Sequence, residues 1–111
     1  PAYQDYVARS QAPAGLPDIR GGVTAFEEIV NKGTPTAYSN AEIGLAASTT
    51  RCSAITVVAG ESGSITCALV GNPKIDAETV ALTRNTSGEW ECSTSLTGTD
   101  ATKYEPAGCD N

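Results

Sequence analysis

The chain has 111 residues, enough for one domain with a single modest core. It carries 13 acidic and 7 basic residues, a net charge of -6, and no histidine. The basic residues Arg9, Arg20, Lys32, Arg51, Lys74, Arg84 and Lys103 are scattered, which argues against nucleic acid and anionic membranes as partners. Without histidine the usual general base is missing, so the composition argues against an enzyme and points to no cofactor.

The first third has helical spacing. Tyr3, Tyr6 and Val7, then Ile19, Val23, Phe26 and Val30, fall on three- and four-residue intervals that predict one apolar face over a helix of about residues 1–32. Pro13, Gly15 and Pro17 predict an irregular middle. Gly33 is the expected stop, with Pro35 just beyond. Residues from about 33 to 52 have no period and read as an ordered connection with minor structure.

Strand signals follow, over a meander of about residues 53–93. Ile55, Val57 and Val58 mark the first strand; Ile65, Cys67 and Leu69 alternate along the second. Gly60-Glu61-Ser62-Gly63 reads as the hairpin turn between them. Val80 and Leu82 mark a third strand, Asn85-Thr86-Ser87-Gly88 a turn, and Trp90 and Cys92 one face of a fourth. A four-stranded antiparallel sheet buries one face and needs a helix to cover it, so the class is α+β in one domain spanning 1–111. The remaining segment is polar, has no apolar period, and is expected to add no core element, with Leu96 and Tyr104 its only large side chains.

The 4 cysteines match no zinc spacing and predict two disulfides, hence an oxidising location such as the periplasm, the cell surface or the exterior. No apolar run reaches the roughly 18 residues of a membrane span. A disulfide-bonded chain with no signal peptide is expected to be a processed or trimmed product, and Pro1 does not read as a natural start. Other polar features have plain readings. Glu27 and Glu28 point in different directions from a helix and are expected to be solvated; Asp76 and Glu78 flank a turn without further oxygen ligands. Asn85-Thr86-Ser87 fits a glycosylation sequon but reads as a hairpin turn, and Trp90 shares parity with Cys92 and is expected in the core.

Three separated stretches carry a family resemblance. Pro1-Ala2-Tyr3-Gln4-Asp5-Tyr6-Val7-Ala8-Arg9-Ser10-Gln11 is similar to the type IV pilin pattern Ile-Pro-x-Tyr-x-x-Tyr-x-x-Arg-Ser, which follows the membrane-embedded part of a long helix. Val80-Ala81-Leu82-Thr83-Arg84-Asn85-Thr86-Ser87-Gly88-Glu89-Trp90-Glu91-Cys92 resembles the hairpin before the family's disulfide loop. Pro106-Ala107-Gly108-Cys109-Asp110-Asn111 resembles the end of type IVa pilins of the Pseudomonas aeruginosa kind.

The resemblance implies the pilin fold: an N-terminal helix on a four-stranded antiparallel sheet with a C-terminal disulfide-closed loop over 92–109. It implies an N-terminally truncated major pilin. Such a subunit joins other pilin subunits in a helical filament that supports twitching motility and adhesion. It implies an extracellular pilus, a precursor anchored in the inner membrane, and membrane contact only through the absent apolar helix. Minor pilin or tip adhesin, and more weakly a secretion-system pseudopilin, are the alternative roles. Pairing of Cys92 with Cys109 is also implied, which leaves Cys52 for Cys67. A tight turn over 60–63 sets Cys52 opposite Gly71, so this second bridge requires a bulge or a Cys52 that lies before the strand. Thr97, Gly98, Thr99, Asp100, Lys103, Tyr104 and Glu105 are the expected contact residues of the loop, toward neighbouring subunits or host glycolipid sugars.

Overall fold

Three helical segments precede the sheet: α1 Ala2–Ala14, α2 Leu16–Arg20 and α3 Val23–Asn31. They come from a computed structural model that describes residues 2–33, 38–106 and 108–109. Pro1, the 34–37 part of the expected connection, Ala107, Asp110 and Asn111 lie outside the described residues. The expected irregularity falls at Gly15, after Pro13 removes a helical donor. A second break, at Gly21-Gly22, was not expected. Two consecutive glycines weaken the helix there. A Cβ on Gly22 would stand 2.8 Å from Leu45 Cδ1 and 2.9 Å from Ile43 Cδ1, so a larger residue would require those side chains to shift.

The apolar face differs from expectation at its start. Ala8, Ala12, Leu16, Ile19 and Phe26 are buried, but Tyr3 is 75% exposed and Tyr6 70%. At 3.6 residues per turn, Tyr6 lies roughly 200° and Tyr3 roughly 140° from the inward line through Ala8. Small alanines bring α1 close to its neighbours, while both tyrosines face away.

Four antiparallel strands form a sheet in the order β1-β2-β3-β4: β1 Cys52–Val58, β2 Ser64–Leu69, β3 Thr79–Arg84 and β4 Trp90–Thr94. Ile65, Cys67 and Leu69 alternate inward from β2, and Val80, Leu82 and Arg84 from β3. The exposed edge of β1 is covered, because Ile55 N donates to Ala47 O at 2.9 Å and Thr49 N to Cys52 O at 2.8 Å. A short 3₁₀ turn, Asn40–Ile43, precedes it; Ser39 N donates to Glu42 Oε2 at 2.6 Å as an N-terminal cap.

Cys52 and Cys67 are joined, with Cα atoms 5.3 Å apart. A bulge makes this possible. Cys52 pairs with Leu69 and Ala54 with Ala68, so Ser53 and Ala54 both face solvent and Cys52 turns inward. The bridge lies under the first helix break. A Cβ on Gly15 would meet Leu69 Cδ2 at 2.7 Å and Cys67 Sγ at 2.9 Å, although its backbone φ of -76° suits any residue. Gly15→Ala is therefore expected to destabilise by about 1–3 kcal/mol through overpacking, despite alanine's better helix propensity. A urea midpoint equal to or above the wild-type value would contradict this contact.

Candidate functional site

The segment expected to stay outside the core enters it. It forms a fourth helix, α4 Gly98–Tyr104, and buries Leu96, Tyr104, Pro106 and Cys109. Cys92 on β4 is bonded to Cys109, with Cα atoms 4.4 Å apart, and the two residues also form a parallel bridge. The disulfide fastens one end of this segment to the sheet. Side chains from α4 fasten its middle to α1.

That second attachment centres on Asp5. Tyr104 Oη donates to Asp5 Oδ1 at 2.6 Å, and Arg9 Nε donates to Lys103 O at 3.0 Å. Lys103 Nζ stands 3.5 Å from Asp5 Oδ2, an exposed pair that solvent screens and that adds little. The hydrogen bond from Tyr104 holds the Asp5 carboxyl below its usual range, with Lys103 assisting against desolvation. The same bond pushes the Tyr104 phenol up to about 12.

These shifts define a pH window. A lowered carboxyl pKa adds stability above the ordinary value of 3.8, and that stability is lost as pH falls through the lowered one. A raised phenol pKa adds stability below the ordinary value of 10.0, lost as pH rises through about 12. Amide exchange of α4 is thus expected to be slow relative to its intrinsic rate between these limits and to accelerate beyond either one. Asp5→Asn should remove the acid-side acceleration; an unchanged profile would mean that the bond does not hold α4.

The predicted contact residues divide. Thr97, Gly98, Thr99, Asp100 and Lys103 are exposed, and Glu105 is half-buried. Tyr104 is 1% exposed and offers no stacking face to a sugar, which corrects its expected role. Its position on the buried side of α4, with its hydroxyl turned to Asp5, is the reason.

A second polar cluster was missed. Glu27, expected in solvent, accepts from Arg84 Nε at 2.5 Å and from Trp90 Nε1 at 2.8 Å. Arg84 Nη1 also donates to Glu61 O at 2.9 Å. The bond from Arg84, then that from Trp90, lowers the Glu27 pKa. Glu28 is exposed, as expected. The signal was present in β3, where Arg84 continues the inward parity of Val80 and Leu82 and so demands a partner. Trp90 is half-buried, with its ring 4.9 Å from that of Phe26 at 84°. Phe26 also meets Tyr38 edge-on at 5.0 Å.

The other polar candidates serve local structure. Asn85 Oδ1 accepts from Ser87 N and Glu89 N, both at 3.0 Å, which closes the β3–β4 turn. Asp76 Oδ1 accepts from Gly71 N at 3.1 Å and Glu78 Oε1 from Ser95 Oγ at 2.8 Å, so the two carboxylates do not converge. An open cavity of about 450 Å³ lies between the helices and the sheet, lined by Arg20, Val23, Thr24, Leu82, Trp90, Cys92 and Gly108.

A helix-covered meander with a C-terminal segment bonded to its last strand is the arrangement that the resemblance implied. Comparison with known families matches residues 8–110 to the family described as Pilin (bacterial filament). The chain belongs to the pilin family. Pilins are structural filament proteins rather than enzymes, and the family places this pilin in an extracellular filament with other pilin subunits. No described helix of the pilin is long and apolar enough to cross a membrane.

Proposed function

We propose that this pilin is the major subunit of a type IVa pilus of the Pseudomonas aeruginosa kind, and that the pilus supports twitching motility and surface attachment. The family match over residues 8–110 carries the pilus-subunit part of this reading, and the likeness of residues 1–11, 80–92 and 106–111 to type IVa pilins supports the finer part. Two structural features support it. Tyr3 and Tyr6 lie on one exposed side of α1, where neighbouring helices in a fibre would pack. The C-terminal segment is held at both ends and in the middle, so Thr97, Gly98, Thr99, Asp100 and Lys103 form a shaped surface suited to subunit contact. Recognition of host glycolipid sugars by this surface is the weaker reading, because Tyr104 is buried.

The precursor would be anchored in the inner membrane by an apolar helix ahead of Pro1. Pili sheared from cells that make the protein should consist mainly of this chain. Deleting its gene should remove both pili and twitching. Abundant pili in the deletion strain, with this chain at trace level in wild-type fibres, would instead assign it to a minor pilin.

A further inference from the structure

The two disulfides have different surroundings. Cys52 and Cys67 are both fully buried beneath Gly15. Asp18 Oδ2 stands 3.7 Å from Cys52 Sγ and is held by a 2.7 Å hydrogen bond from Thr49 Oγ1. A carboxylate at that distance repels an approaching thiolate. Cys92 is half-buried and shares the inner face of the sheet with Leu82, its partner across the strand pair. Both line the open cavity of about 450 Å³ between the helices and the sheet. Arg20 is exposed and is the one charged residue among the described residues that line it. Among the described residues, Arg20 has no ion pair and no side-chain hydrogen bond; the two salt bridges there belong to Arg84 and Lys103. One bridge is thus closed off beside a negative charge, and the other meets water beside an uncommitted positive one.

We propose that this cavity is a thiol-exchange site that admits a small anionic thiol to Cys92. The incoming thiol gives its proton to water, and its thiolate attacks Cys92 Sγ. The bond between Cys92 and Cys109 breaks, and Cys109 leaves as a thiolate that takes a proton from water. The products are a mixed disulfide on Cys92 and a free thiol on Cys109. A second thiol that attacks the adduct carries the first away as a small disulfide and leaves both cysteines reduced. Cys92 is the sulfur attacked, because Cys109 is fully buried. A thiolate is poorly stabilised where Cys109 lies, so its release draws the C-terminal segment toward water. Exchange therefore loosens α4, which keeps only the bond from Tyr104 to Asp5 and that from Arg9 to Lys103 O as polar ties to α1. Arg20 sets the preference for an anionic reagent, since it attracts both the thiolate and a carboxylate that accompanies it.

The test exposes the purified, folded protein to mercaptoacetate, which is anionic, or to cysteamine, which is cationic, at equal thiolate concentration. Samples are quenched in acid and mapped by mass spectrometry. Cys92–Cys109 is expected to open at least about a hundredfold faster than Cys52–Cys67, which reacts only after the fold around it opens. The adduct is expected on Cys92, with Cys109 free. Arg20→Gln is expected to slow mercaptoacetate by about 2–5-fold, the scale of an exposed charge pair, and to change cysteamine less. Added salt should shrink that difference. Emission from Trp90, the single tryptophan, should remain at its wild-type wavelength in Arg20→Gln, showing that the variant still folds. Equal rates for the two bridges, an adduct on Cys109, or a mercaptoacetate-to-cysteamine rate ratio that Arg20→Gln leaves unchanged would each overturn the site. Where the adduct is too short-lived to map, the bridge rates and that ratio decide.

Discussion

Phe26→Ala is expected to lower the unfolding free energy by about 3–5 kcal/mol. Phe26 is fully buried and touches three parts of the fold at once. Its ring meets Tyr38 and Trp90 edge-on, at 5.0 Å and 4.9 Å, and a Cβ on Gly63 would lie 2.7 Å from its Cζ. The last distance shows how tightly the β1–β2 turn closes over the ring. Truncation leaves a cavity that the disulfide-braced sheet cannot easily collapse to fill. It also loosens α3 next to Glu27, so the bonds from Arg84 and Trp90 weaken together. A domain of this size has total stability on the order of 5–15 kcal/mol, so the variant should be marginal at physiological temperature. Urea unfolding followed by Trp90 emission measures it; a loss under about 1 kcal/mol would mean that the aromatic cluster does not hold α3.

Replacing Cys92 and Cys109 together by serine is expected to remove roughly 3 kcal/mol on the chain-entropy account. The effect should be concentrated in the C-terminal segment. Without the bridge, α4 is tied to the rest of the chain chiefly through Tyr104, its contact with Asp5, and the Arg9 hydrogen bond to Lys103 O. Amide exchange in α4 should therefore accelerate well before exchange in β3, which is paired on both sides. Equal acceleration in α4 and β3 would show that the bridge stabilises the whole domain and not this surface in particular. The corresponding replacement of Cys52 and Cys67 should act differently. That bridge supports the α1–α2 break, because it fills the space beside Gly15.

The sheet was the most legible part of the chain. Alternation of Ile65, Cys67 and Leu69, and of Val80 and Leu82, reports burial on one face, because a strand's side-chain period of two is independent of what covers it. Helix α1 was less legible. Tyr3 and Tyr6 have the right spacing for a face but sit on the wrong side, since apolar periodicity does not say whether alanine or tyrosine faces the core. Glu27 was misread because a carboxylate on a helix is solvated by default, and its partner Arg84 is brought to it by the packing of α3 on β3.

The C-terminal segment divides between the two sources in the same way. Its polar composition, its two cysteines and its likeness to pilin termini follow from the residues alone, because local sequence determines solubility and the available covalent links. That it coils into α4, buries Tyr104 and clamps onto Asp5 was decided by tertiary structure. Tyr104 and Asp5 are 99 positions apart, and no local pattern encodes a contact that exists only after the disulfide and the sheet have brought the two ends of the chain together.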